Sequence, residues 1–204
     1  LPVKSSPGFL VNRALTPYML EAMVMLDEKI DKTTIDAAAR QFGMPMGPIE
    51  LADQVGLDIC LAVGDMLRLK FGDLLPPTPA WLREMVARGE LGRKTGKGFY
   101  VWKDGKVDRS ATPANGAEPT TEMIDRLVLP MSNVCVACLR EGIVDNADVV
   151  DGAMIFGTGY APFRGGPLNY ARARGVDNVV ATLRTLAAKH GGRFAPDDGW
   201  ANFR

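Results

Sequence analysis

The sequence predicts a mainly α protein of two tandem homologous helical units forming a pseudo-dimer, with a small β-hairpin near residues 99–107. Three observations carry this reading. Apolar residues recur at steps of three and four over several stretches, the period of a helix with a buried stripe. The pattern of residues 13–28 returns without a gap at residues 126–141. Between the two copies, a glycine-rich passage runs into aromatic and β-branched residues and then Asp104-Gly105, a hairpin signal.

Composition narrows the class. The 204 residues are 47% hydrophobic and 24% charged, as in ordinary globular proteins, and suffice for one large domain or two of about 100 residues. With 24 basic and 24 acidic residues the net charge is zero, which argues against nucleic acid, whose binding rests on Lys and Arg meeting phosphates. No apolar run reaches the length of about 18 residues that suggests a membrane span. The cysteines, three in number, favour a reducing compartment without a disulfide framework. The chain begins with Leu1 rather than Met and shows no signal peptide, so a piece of a longer protein is expected.

In chain order, Pro7-Gly8 turns the backbone into a first helix with Asn12 at its mouth and a stripe of Leu15, Met19, Ala22, Met23, Leu26 and Ile30. Thr33 and Asp36 have the spacing of a capping box, before a short helix stopped by Gly43. A loop from Met44 to Pro48 follows, and Ile49 to Ala52 leads to Gly56. Asp58 then caps a third long helix carrying Ile59, Val63, Met66, Leu67 and Phe71. Thr78-Pro79, a capping hydroxyl with Pro at the first helical position, opens a helix that ends at Gly89. Residues 109–119 turn to Ser, Ala, Pro, Asn and Gly, the composition of a linker.

Beyond it the first pattern repeats. Arg13 falls on Arg126, Pro17 on Pro130, Leu26 on Leu139 and Glu28 on Glu141. Asp36 matches Asp151, and Thr33 matches Asp148, again as a capping residue. After an insertion Gly47-Pro48 matches Gly166-Pro167, Gly56 matches Gly175 and Asp58 matches Asp177. The last helix, Val179 to Lys189, closes at Gly191. A period near 115 residues, from Asp36 to Asp151, is too long for a solenoid. Two such units pack most simply about a pseudo-two-fold axis. The expected division is 1–108 for the first unit, 109–119 for the linker and 120–204 for a degenerate second copy. The copy departs at the mouth: Asn12 falls on Asp125, and Ser6-Pro7-Gly8-Phe9 has no equivalent.

Several constellations carry a bland reading beside a chemical one. Cys135 and Cys138 form a C-x-x-C, but mid-helix on an apolar stripe, where core packing outweighs redox chemistry. No metal site is expected, because the one histidine, His190, adds no ligand near them and suits a helix C-terminus. Gly157-Thr158-Gly159 imitates a dinucleotide fingerprint without the strand or the third glycine. In the Gly92–Gly98 passage, Arg93, Lys94 and Lys97 either meet a phosphate or form a basic turn before the hairpin. Asn12 on spacing alone is a local capping residue.

Four stretches together resemble a known family. They are Ser6-Pro7-Gly8-Phe9 with Asn12-Arg13, the run from Phe42 to Asp58, the run G-R-K-T-G-K-G-F-Y from Gly92 to Tyr100, and Ala161 to Ala171 in the second copy. The first three resemble the C-terminal domain of 3-hydroxyacyl-CoA dehydrogenases. The last looks like the second such domain of the multifunctional fatty-acid oxidation enzymes. The resemblance implies an oxidoreductase of fatty-acid β-oxidation that oxidises the 3-hydroxyl of an acyl-CoA with NAD. In that family an asparagine contacts the reacting oxygen, and by the motif it is Asn12, both catalytic and substrate-binding. Lys94 matches a position that approaches NAD. The histidine base, its glutamate and a serine belong to a Rossmann domain, and nothing here matches them. Phe156 stands where some multifunctional relatives have a substrate-contacting tyrosine, which puts that contact in doubt.

The partners implied are an acyl-CoA substrate, the Rossmann domain and a hydratase domain of the same longer chain, and a thiolase subunit. The compartment implied is the cytoplasm, or the mitochondrion or peroxisome in a eukaryote. The alternative from another class is a non-catalytic helical dimerisation or scaffold module, which the duplication and the missing nucleotide site suit. A β-hydroxyacid dehydrogenase fits the order of motifs less well.

Overall fold

The computed structural model describes residues 9–111 and 116–204. The Pro7-Gly8 turn and residues 112–115 of the expected linker lie outside the described residues. The described elements are α1 (Val11–Asp27), α2 (Lys32–Phe42), α3 (Pro48–Val55), α4 (Leu57–Phe71), α5 (Ala80–Ala87), β1 (Trp102–Lys103), β2 (Lys106–Val107), α6 (Thr121–Arg140), α7 (Ala147–Thr158), α8 (Pro167–Arg174) and α9 (Val176–His190). The fold is mainly α, and among the described residues the two strands form one antiparallel sheet.

The central helix α1 touches α6, α3, α7, α4 and α2, so it is covered nearly all round. Its deepest residues are Ala14, Tyr18, Ala22 and Met25, whereas the expected stripe residues Leu15, Met19 and Leu26 are only partly buried. A single stripe describes a helix lying on a core; this one runs through it. Ile30 lies beyond the helix, where its amide and that of Lys29 close the C-terminus onto Met25 and Leu26, with Lys29 at positive φ.

The caps differ from expectation in a consistent way. Asp31, not Thr33, caps α2 by accepting from the Thr33 amide, and Asn146, not Asp148, caps α7 by accepting from the Val149 amide. Asp36 does not reach back to the helix start because its carboxylate is buried and occupied elsewhere. It accepts from the amides of Ile49 and Glu50 at 2.8 and 3.1 Å and from the Tyr100 hydroxyl at 2.8 Å. In the second copy Asp151 accepts from the Leu168 and Asn169 amides at 2.7 and 2.9 Å. Each aspartate thus binds the N-terminus of the following helix, satisfying orphan donors and meeting the positive end of the dipole. Gly47 and Gly166 press so close that a Cβ on either would fall within about 2.5 Å of that aspartate. Asp58 lies in the first turn of α4, whose N-cap is Gly56, and Thr78 caps nothing: its hydroxyl donates to Asp65 while Pro79 precedes α5. The hairpin forms as expected, with both Asp104 and Gly105 at positive φ between β1 and β2.

Between α1 and α6 the contacts reciprocate. α1 packs on α6 more extensively than any other described pair, with Pro17 and Pro130 inside the two helices at matching positions. Arg13 on α1 forks onto Glu141 at the end of α6, and Arg126 on α6 forks onto Glu28 at the end of α1. Arg126 and Glu21 are 3% and 2% exposed and meet at 2.7 Å, and Arg193 binds the other face of Glu21.

Removing one partner of a buried pair strands the other, so Arg126→Met should destabilise the fold by about 3 kcal/mol in urea titrations, whereas Arg140→Met at the surface should cost about 1 kcal/mol or less. Burial raises the Asp36 carboxyl to about 6 despite its three donors. Its stabilising contribution is therefore complete below about pH 4 and lost as pH rises through about 6, the reverse of ordinary surface carboxylates. A carboxyl ¹³C titration of Asp36 should show a midpoint near pH 6.

Candidate functional site

Asn12 sits in the first turn of α1, exposed, where Leu10 is the N-cap and no side chain caps the helix. Its backbone carbonyl accepts from the Thr16 hydroxyl at 2.7 Å, while among the described residues its side-chain amide has no hydrogen-bond partner. The local capping role that spacing alone suggested is thus absent among the described residues.

Beside Asn12 opens a cleft of about 150 Å³ between α1, α4 and α5. Leu15, Met19 and Met23 line one wall, Ile59, Cys60 and Val63 the other, and the buried Gly64 and Leu82 complete the lining with the half-buried Thr78. Among the described residues no charged side chain lines it. The sequence stripe of α1 is what supplies this wall: residues that left the core half-buried face the cleft instead. Cys60 is inert there, since burial pushes its thiol up to about 12.

The counterpart of the Asn12 mouth in the second unit is closed. Asp125 is buried and forks onto Arg174, which also meets the Tyr170 hydroxyl.

The glycine-rich passage is a turn built on Asp53. This buried carboxylate accepts from the Phe99 and Tyr100 amides at 2.9 and 2.8 Å and from the Trp102 indole at 3.0 Å. Gly92 and Gly98 lie against it, and a Cβ on Gly98 would come within 2.1 Å of its oxygen. The turn presents Arg93, Lys94 and Lys97. Lys94 donates to both oxygens of Asp58 at 2.6 and 2.7 Å, and that pair holds the Asp58 carboxyl below its usual range. Lys97 and Arg88 flank Glu90, whose carboxyl they lower to about 2. Among the described residues only Arg93 of the three lacks a carboxylate partner.

Lys94 does not line the Asn12 cleft. The two are linked through the start of α4, where Asp58 holds Lys94 and the next residues, Ile59 and Cys60, line the cleft. Sequence reading singled out Asn12 and Lys94 and did not single out Asp53 or Gly64. Asp53 carried no local signal, because the turn it binds begins only at Gly92 and Glu50 and Asp58 flank it in the chain; a helical glycine such as Gly64 carried none either.

The remaining constellations are structural. Cys135 and Cys138 are buried free thiols inside α6, both pushed up by burial, Cys138 to about 11. His190 ends α9 with its ring 3.0 Å from Glu122. Gly159 is the left-handed cap of α7. Among the described residues no group of acidic, histidine or cysteine side chains could hold a metal ion, and no helix is long and apolar enough to cross a membrane. Phe156 is 90% exposed on α7.

Residues 8–102 match the family model described as 3-hydroxyacyl-CoA dehydrogenase, C-terminal domain. Over 97% of its length the chain is similar to the fatty acid oxidation complex subunit alpha of Vibrio vulnificus and of Vibrio cholerae, at 40% and 41% identity. It spans 29% of the length of each. The fold is that of 3-hydroxybutyryl-CoA dehydrogenase from Escherichia coli, with a TM-score of 0.81 at 24% identity over 98% of this chain and 60% of that one. It is also that of the dehydrogenase part of multifunctional enzyme 1 from C. elegans, with a TM-score of 0.67 at 23% identity over 99% and 49%.

Asp53→Ala removes the acceptor of three donors. Hydrogen exchange at the Phe99 and Tyr100 amides should accelerate by about tenfold or more, the loss expected for charge-assisted bonds.

Proposed function

We propose that this chain forms the C-terminal helical part of an NAD-dependent 3-hydroxyacyl-CoA dehydrogenase of fatty-acid β-oxidation. The observation that carries the reading is the amide of Asn12, without a hydrogen-bond partner among the described residues, at the mouth of a cleft that no charged side chain of those residues lines. An amide there can donate to an oxygen that gains negative character, without the desolvation cost of a full charge. The cleft beside it suits an acyl tail. The 29% coverage of fatty acid oxidation subunits supports a setting within a longer chain, with Rossmann and hydratase domains beside it and a thiolase as partner. Cytoplasm is the proposed compartment, or the mitochondrion or peroxisome in a eukaryote.

The described residues do not fit NAD as its holder. Their one sheet is a two-stranded hairpin, and a dinucleotide needs a parallel βαβ unit with its glycine turn. What they offer is Lys94, held at the start of α4 by Asp58, as an edge contact for a cofactor bound by another domain. The histidine base and its glutamate would come from that domain too. Division into units 1–108 and 120–204 around a linker, paired as a covalent pseudo-dimer, is supported by the reciprocal Arg13–Glu141 and Arg126–Glu28 forks. Those forks equally suit the alternative, a non-catalytic helical scaffold.

Two measurements separate the readings. The purified 204 residues should show no NAD-linked oxidation of 3-hydroxybutyryl-CoA, yet acetoacetyl-CoA should shift the Asn12 amide resonances; a scaffold gives no shift, and robust turnover sinks the division of labour. With the Rossmann domain present, Asn12→Ala should lower kcat by about tenfold or more, as for a lost oxyanion donor. An unchanged kcat would remove Asn12 from the reaction.

A further inference from the structure

We propose that the cleft takes an unbranched apolar chain entering past Asn12, and that Gly64 sets the length it accepts. The inference deepens the functional reading above and rests on it for the identity of the chain as an acyl tail.

Gly64 lies inside α4 in ordinary helical conformation, without the positive φ that would demand glycine. Glycine in a helix interior is otherwise disfavoured. Nor does a crowded neighbour exclude a side chain: a Cβ at Gly64 would lie 3.5 Å from the Thr78 hydroxyl and 3.8 Å from Leu20 Cδ2, ordinary contact distances. What a side chain there would do is project toward Leu20 and Thr78, which line the cleft with it, at a buried position, whereas Asn12 on the same cleft is exposed. Space, not backbone geometry or packing, is the physical use of this glycine.

The polarity of the cleft fits one kind of occupant. Asn12 lies exposed at the open end, and the walls beyond it are methionine, leucine, isoleucine and valine. The Thr78 hydroxyl already donates to Asp65 at 3.0 Å and the Thr16 hydroxyl to the Asn12 carbonyl, so neither has a proton left to donate to a ligand. A tail in such walls gains about fourfold in affinity for each methylene buried. A cavity near 150 Å³ lined by apolar side chains holds a group of about six carbons. Affinity should climb to a tail of about that length and then level off.

The test uses the 204-residue protein with ¹³C-methyl methionine, because Met19 and Met23 line the cleft. The wild type, Gly64→Ala and Gly64→Leu are titrated with the straight-chain alcohols from 1-butanol to 1-dodecanol, and separately with acetoacetyl-CoA. Thermal melts establish that each variant is folded, and Gly64→Ala keeps the test open if the leucine variant is not. In the wild type the Met19 and Met23 methyls should shift, with affinity rising about fourfold per methylene and breaking near six carbons. Gly64→Ala should move the break one methylene shorter, and Gly64→Leu should abolish the response to 1-octanol. An unchanged profile in the folded variants, or no break in the wild type, overturns the proposal. Methyl shifts with the break, but no effect of acetoacetyl-CoA on Asn12, would leave the length limit standing and remove the dehydrogenase reading. Acetoacetyl-CoA shifting Asn12 while the alcohols leave both methionines unmoved would overturn the length limit alone.

Discussion

The guanidinium of Arg126 lies almost wholly out of water, between Glu21 and Glu28 of the helix it packs against. A charge in that position tolerates little slippage, because moving α6 by one turn along α1 would leave the buried Arg126 guanidinium without either of its carboxylate partners. The matching fork of Arg13 on Glu141 sets the same condition at the other end. With the register fixed twice, the apolar surfaces between α1 and α6 have one way to meet. The aromatic and methionine core around Tyr18, Met25 and Met131 then fills in about it.

Buried carboxylates organise each unit in turn. Asp36 and Asp151 seize the N-termini of α3 and α8, and Asp53 gathers the amides of the glycine turn. All three are raised in pKa by burial, so each is held in place by donors at a cost in ionisation. Such sites specify geometry more than they stabilise. They explain why glycines recur beside them: Gly47, Gly166, Gly92 and Gly98 are where the backbone must approach an aspartate too closely for a Cβ.

One copy of the duplicated unit keeps an open mouth and the other has closed it. Where α1 has an exposed amide beside an apolar cleft, α6 has Asp125 locked onto Arg174. The glycine inside α4 costs about 1 kcal/mol against alanine, and it lies on the lining of that cleft.

The sequence by itself determined the helices, the hairpin at Asp104-Gly105 and the place of Asn12 at the start of α1, because these rest on local periodicity, turn chemistry and residue identity. It did not determine the caps. Thr33, Asp148, Asp58 and Thr78 all had acceptable capping chemistry, yet Asp31 and Asn146 do that work on α2 and α7, because Asp36 and Asp151 are drawn inward to helices beginning 12 or more residues later. It also did not determine which half-buried residues of α1 face core and which face the cleft, since a periodic stripe states that a face is covered and not by what. Only the tertiary structure decided that Leu15, Met19 and Gly64 surround an opening. A cavity is a property of elements far apart in the chain, and no local pattern encodes the space they leave between them.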